Sequence, residues 1–372
     1  MKDPLDYTDD ELNAMSVDEL KQLAQEAEYK EGLFNTRQLV EKVLINSLYG
    51  ALANKYFPLF NEQMAAAITG NGRYFIQKLA NYIENTLQGL LPQEKPYIVY
   101  GDTDSVYYHV EPFVEKYIEN NPGQSIDHYV TWADSFEQKV IQPVIQKTID
   151  DFATELNAYN VGAIGAEREI IADAAVFTAK KKYYARVRDS EGTRFPESDP
   201  YIKVMGLEIA KSSTPTWAKK KLKEAIPHIL DKDENDLRDW VNEIKQEFIT
   251  TNPNNIALIG GVSNLNYDLQ KDKGVPIGSR AALVHNDYVQ THGLAEKYSP
   301  IQAGDKCKRL FLQQPNVFNS NIIAYTNDAF VNEIDCIDFD TNFEKGFLSA
   351  LKLMVEPLNY DLEKETANLD DW

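Results

Sequence analysis

Cysteine is nearly absent. Cys307 and Cys336 are the only two in 372 residues, and they form no CxxC pair. That argues against a structural zinc site or a disulfide framework and fits a reducing cytosol. Long apolar runs are missing too. No stretch of eighteen or more apolar residues occurs, so no membrane span is expected. The opening residues, MKDPLDYTDDELNAM, are acidic and polar and lack a charged-then-apolar secretory pattern. Positive charge is scarce: 38 Lys and Arg stand against 58 Asp and Glu, a net charge of −20. Alone, that opposes nucleic acid as a partner, because phosphate binding leaves a basic footprint. The charge is uneven, however. TAKKKYYARVR (Thr178–Arg188) and AKKKLK (Ala218–Lys223) are basic stripes on an acidic body. Such stripes can still line a positive groove.

What is present suffices for two or three domains with apolar cores. Leu12, Met15, Leu20, Leu23 and Ala24 mark a helix over residues 9–30. A second helix is expected to start at Asn35 or Thr36 and to run through RQLVEKVLINSLYGALANKY. A third spans Glu62 to Leu90, interrupted at Gly70 and Gly72, and a long amphipathic one spans Val130–Leu156. REIIA and KKYYARVR read as strands. Thr214-Pro215 opens a helical region, and the last third mixes loops, the short strands KRLFL and IIAYT, and a helix near Asn342–Met354. The best boundary falls near Ser212–Thr214.

YIVYGDTDSVYYHV (Tyr97–Val110) sets two apolar runs around Gly101-Asp102-Thr103-Asp104. The tip is expected to cap a buried hairpin. Residues i and i+2 of a strand point the same way, so both carboxylates can converge. Gly, Asp and Thr also make ordinary solvent-exposed turns, and that reading competes. Two close carboxylates suit Mg²⁺, which takes one or two carboxylates plus substrate phosphates. A second constellation lies in KVLINSLYGAL. Lys42, Asn46, Tyr49 and Gly50 share one helical face at i, i+4, i+7 and i+8, while Val43, Leu44 and Leu48 supply an apolar side. The competing reading there is a helix with an exposed lysine and a core tyrosine.

Together, KVLINSLYG and YGDTDS some fifty residues later resemble family B DNA polymerases, most of all the replicative enzymes of T-even-like bacteriophages. AEREIIA, TAKKKYYARV, IKVMGLEIAKSSTP and the N-terminal PLDYTDDELNAMSVDELKQLAQEAE extend the resemblance along most of the chain. It implies an α+β fold that is part of a polymerase right hand: distal fingers helices at 1–53, an antiparallel-sheet palm at 54–211 and a mainly helical thumb at 212–372. It implies two Mg²⁺ ions, primer-template DNA and deoxynucleoside triphosphates as ligands.

The resemblance also assigns residues. Lys42 matches the fingers lysine on the triphosphate, where a cation offsets charge on the leaving pyrophosphate. Asn46, Tyr49 and Gly50 match positions at the nascent base pair. Asp104 matches the carboxylate that binds both metals, and Asp102 its neighbour. Glu169 matches an acidic residue acting on metal through water, with an exposed strand glutamate as the plain alternative. Lys180, Lys181, Lys182 and Tyr183 match the motif along the primer-template duplex; strand alternation would set Lys181 and Tyr183 on one face and Lys180 and Lys182 on the other. Lys203, Lys211, Ser212 and Ser213 are expected at primer phosphates, and KKKLK as a solvated helix face. Leu369 and Trp372 match anchors of a tail that docks on a sliding clamp, against the alternative of a frayed terminus.

One element of the family pattern is missing. No DxxSLYPS, the palm motif that carries the other metal-binding aspartate, occurs in the 372 residues. The expectation is a polymerase encoded as two chains, of which this is the C-terminal subunit. An N-terminal chain would then supply that aspartate, the exonuclease and the remaining palm. Two other classes stay open: a catalytically inactive DNA- or clamp-binding factor, and a Mg²⁺-dependent nuclease built on Asp102, Asp104 and Glu169.

Overall fold

Two capping boxes start the helices. Thr8 and Glu11 close the first around α1 (Asp9–Asn13), and Ser16 and Glu19 close the second at the head of α2 (Val17–Leu52). The structure is a computed structural model that describes residues 6–160, 162, 164–263, 265 and 274–362. The expected break at Asn35 or Thr36 is not there. Thr36 Oγ1 donates to Gly32 O at 2.8 Å within α2, so the hydroxyl serves the preceding turn instead of a cap. Its apolar residues are spread around the circumference, and of the whole helix Leu23 alone is buried. Every residue from 31 to 50 is exposed. The proposed apolar side of the lysine helix is no exception: Val43, Leu44 and Leu48 all face solvent.

The chain divides into two units, residues 1–108 with 144–164, and residues 109–143 with 165–372. In the first unit α2 is followed by α3 (Glu62–Leu90), which Asn61 caps through Met64 N. It is continuous across Gly70 and Gly72, where a single glycine costs a helix only about 1 kcal/mol. Leu79, Ile83 and Leu87 are buried at i, i+4 and i+8, the spacing of one face. The hairpin β1 (Ile98–Asp102) and β2 (Ser105–Tyr108) comes next. The chain runs through α4 (Glu111–Asn120), α5 (Ile126–Phe136) and a π-helical turn (Glu137–Ile141) of the second unit, and α6 (Gln142–Glu155) brings it back to the first.

Aromatic packing and a polar zipper join α3 to α6. Phe75 meets Phe152 edge-on at 5.1 Å. Tyr82 donates to Asp151 at 3.0 Å, and Tyr74 donates to Glu155 at 2.8 Å. Lys78 is paired with the same Glu155 carboxylate.

In the second unit an antiparallel sheet centres on β4 (Lys182–Ser190), which pairs with β3 (Ile170–Ala179), β5 (Thr193–Arg194) and β6 (Tyr201–Met205). The expected helices follow as α7 (Thr216–Asp231) and α8 (Glu234–Thr250), then α9 (Pro253–Ile256). A meander of β7 (Leu258–Gly261), β8 (Lys306–Phe311) and β9 (Ile322–Tyr325) carries α10 (Ile277–Thr291). The region closes with α11 (Phe339–Phe343), a π-helical turn and α12 (Ser349–Val355). One apolar core runs through Tyr184 of the sheet, Trp217, Leu222, Phe248 and Phe347. The Tyr184 hydroxyl donates to Met354 O at 3.0 Å, tying sheet to helix. The Ala218–Lys223 cluster is not a fully solvated face. Lys221 is buried and bridges Glu224 at 3.1 Å and Glu247 at 2.7 Å. Among the described residues no helix is long and apolar enough to cross a membrane.

Hydrogen bonds from Lys78 and Tyr74 hold the Glu155 carboxyl below its usual range. A depressed carboxyl stabilises the fold fully above its unfolded pKa of about 4.3, and that contribution is lost as pH falls through the folded value. Glu155→Gln is therefore expected to lower the urea midpoint at pH 7, with the difference from wild type vanishing under acid.

Candidate functional site

The two carboxylates sit on different parts of one turn. Asp102 is the last residue of β1 and pairs with Ser105, so Thr103 and Asp104 form the loop between them. Thr103 takes φ 48, a left-handed conformation that β-branched residues rarely adopt. Its hydroxyl donates to Asp102 Oδ1 at 3.1 Å, and Ser105 Oγ donates to Asp102 O at 3.1 Å. Asp102 is half-buried while Asp104 is exposed. Strand alternation does not govern this pair, because Asp104 has left the strand. The expected burial is also partial. With only two strands the hairpin has one neighbour per strand, and Val99 is 49% exposed. Its base is firmer: Tyr97 is fully buried with its hydroxyl donating to Leu91 O, and Ile98 N donates to Glu84 Oε2 at 2.9 Å.

Lys42, Asn46, Tyr49 and Gly50 occupy the last three turns of α2, all exposed. A Cβ at Gly50 would meet nothing within 4 Å. Tyr49 also lines a cavity of about 540 Å³ at the α2–α3 elbow, with Tyr56 and Phe60 among its walls.

In the second unit Lys180 and Lys181 form the exposed β3–β4 turn, and Ala179 pairs with Lys182 across it. Alternation therefore begins only at Lys182. Tyr183 is 6% exposed and packs on Phe177 at 5.3 Å. Lys181 has φ 63, and Gly206 has φ 66 directly beneath it. A Cβ on Gly206 would come within 2.0 Å of Lys181 O. Lys203 donates to Glu169 Oε1 at 2.5 Å and Lys211 to Glu208 Oε1 at 2.5 Å. Ser212 and Ser213 are exposed, and Ser213 O accepts from Ile259 N. Leu369 and Trp372 lie outside the described residues.

The two arginines of the basic stripe are neutralised. Arg186 grips Asp231 at 2.5 and 2.6 Å and Asp173 at 2.8 Å, while buried Arg188 takes the other Asp173 oxygen at 2.8 Å. Next to it lies a closed ionic ring that motif matching passes over. Arg168 bridges Asp134 at 3.0 Å and Asp189 at 2.5 Å, and Arg194 bridges the same two at 3.4 and 2.9 Å. Asp189 is fully buried, and both arginines pair with its carboxylate. Beside Arg168, burial raises the Glu137 carboxyl, and that arginine opposes the shift. The alternation of charge in ERE and RVRDSEGTR is the available signal for such a ring.

Among the described residues no group of three or more His, Cys, Asp or Glu is arranged to hold a metal. The hairpin's donor set still fits Mg²⁺ in part: it offers two hard carboxylates, one of them open, with the remaining ligands left to phosphates and water.

The two-carboxylate turn and the lysine helix belong to the first unit, and the lysine hairpin turn belongs to the second. Residues 18–140 match the family model described as DNA polymerase family B. The chain is similar to family B DNA polymerases of T4-like phages. It is 31% identical to the DNA-directed DNA polymerase of Enterobacteria phage T4 and 28% identical to that of Escherichia phage RB69, in each case over 98% of this chain. It spans only 42% of the length of either relative. Half of the chain also aligns, at 24% identity, with the African swine fever virus protein named DNA polymerase beta.

Gly206→Ala is expected to destabilise the second unit by about 1–3 kcal/mol, from the strained backbone and the displaced turn. Urea denaturation measures it, and unchanged stability would show that the turn relaxes freely.

Proposed function

We propose that this chain supplies the nucleotide-binding helix, the metal-binding hairpin and the primer-template turn of a template-directed DNA polymerase. The observation that carries the proposal is the two motifs in family order within an alignment that covers 98% of the chain. The residue ranges 1–53, 54–211 and 212–372 are proposed as distal fingers, palm and thumb.

Lys42 places an ammonium on an exposed helix face, where it neutralises a triphosphate. Asn46 and Tyr49 follow one and two turns on, and offer a polar edge and a ring to the base. Asp104 and Asp102 would hold the Mg²⁺ ions, which supply charge stabilisation for in-line phosphoryl transfer when bound. Lys180 and Lys181 contact duplex phosphates without reading sequence. The 372 residues contain no DxxSLYPS, so the further aspartate comes from polypeptide outside them. The unburied apolar residues of α2 favour such a complement, since exposed apolar surface of this extent marks an interface. Leu369 and Trp372 are retained as proposed sliding-clamp anchors.

Primer extension tests this. The chain alone is expected to extend a primer negligibly and to gain Mg²⁺-dependent extension when mixed with a polymerase segment carrying DxxSLYPS. Asp104→Asn is expected to remove that gain by several orders of magnitude; extension that survives the substitution would reject the assignment. Nucleotide-independent cleavage of DNA by the chain alone would point instead to a nuclease.

A further inference from the structure

Lys203 belongs by sequence with the groups expected at primer phosphates, yet its surroundings are unlike theirs. Its side chain is 15% exposed, whereas the turn lysines Lys180 and Lys181 stand in solvent. It lies on β6 opposite Ala185, between Ile202 and Val204, which pack against the core on the other face. Its ammonium donates to Glu169 Oε1 at 2.5 Å. A lysine with a buried stem has little reach, and its desolvated head needs a fixed acceptor.

Glu169 is held from three other directions. Its carbonyl accepts from Glu191 N at 2.8 Å. Ile170, next in the chain, pairs with Ser190. Arg168, just before it, is locked in the ring with Asp134, Asp189 and Arg194. These contacts fix the backbone and leave only the side-chain rotamers of Glu169 free. The ion pair removes that freedom while the carboxylate stays 56% exposed. The group is oriented and still open to a further contact.

We propose that Lys203 is a positioning residue that orients the Glu169 carboxylate, and that it does not bind a primer phosphate. The proposal rests on the polymerase reading for the use made of Glu169, but the ion pair itself can be tested without it. In the chain alone, acetylation by an N-hydroxysuccinimide ester and mass spectrometry report on Lys203. Glu169→Gln is expected to speed its modification several-fold, and added primer-template DNA is expected to leave the wild-type rate unchanged. Protection of Lys203 by DNA, with no response to Glu169→Gln, would overturn the proposal.

In the complemented enzyme Lys203→Met is expected to lower kcat about tenfold, the usual scale for groups that orient an active-site ligand. The KM for primer-template should not change. Lys203→Arg should recover most of the rate, because it keeps the charge and the donors. The double variant Lys203→Met, Glu169→Gln should be no slower than the slower single variant, as coupled groups require. A phosphate contact gives the opposite pattern: multiplicative losses, weaker DNA binding and a salt slope reduced by about one. If the complemented enzyme makes no product at all, the polymerase reading fails, and the acetylation experiment still decides the ion pair.

Discussion

The grip of α3 on the base of the hairpin is the contact on which the hairpin carboxylates depend. A lone two-stranded ribbon is marginal in water. Here Glu84 accepts from Ile98 N, and buried Tyr97 reaches back to Leu91 O, so the ribbon inherits the stability of a 29-residue helix. That helix is in turn fixed to α6 by Phe75, Tyr82 and the shared Glu155. A left-handed Thr103 is affordable at the tip because the base is held.

Charge in the second unit is spent mostly on itself. On a chain of net −20, TAKKKYYARVR reads as able to line a positive groove and KKKLK as a solvated helix face. Arg186 and Arg188 instead neutralise Asp173 and Asp231, and Lys221 is enclosed by Glu224 and Glu247. Lys180 and Lys181 remain exposed at the β3–β4 turn. A phosphate-binding surface here is thus narrower than the count of basic residues suggests, and it is presented by a turn that Gly206 makes room for.

Periodicity and turn chemistry made much of this legible. The spans of α3, α7 and α8, the strand β4 and its turn into β5 follow from apolar spacing, caps and the run DSEGTR. Local signals failed where a longer context decides. Thr36 looks like a cap but bonds backward inside α2, and α4 went unnoticed beside the stronger pattern of α5 and α6. For the candidate site, the motifs located Asp102, Asp104 and Lys42 but not their exposure. Pairings between distant residues, such as Lys203 with Glu169 or Arg168 with Asp134, have no sequence period and emerge only from the fold.

The central claim is that Asp102 and Asp104 are an incomplete metal cage that another polypeptide segment finishes. Iron-directed backbone cleavage tests it most directly, with Fe²⁺ and ascorbate in place of Mg²⁺ and the cut sites mapped by mass spectrometry. Cuts around residues 101–105 are predicted only when the DxxSLYPS segment, primer-template DNA and a nucleoside triphosphate are all present. Equal cutting in the chain alone, or no cutting at the hairpin in the full assembly, would contradict the account.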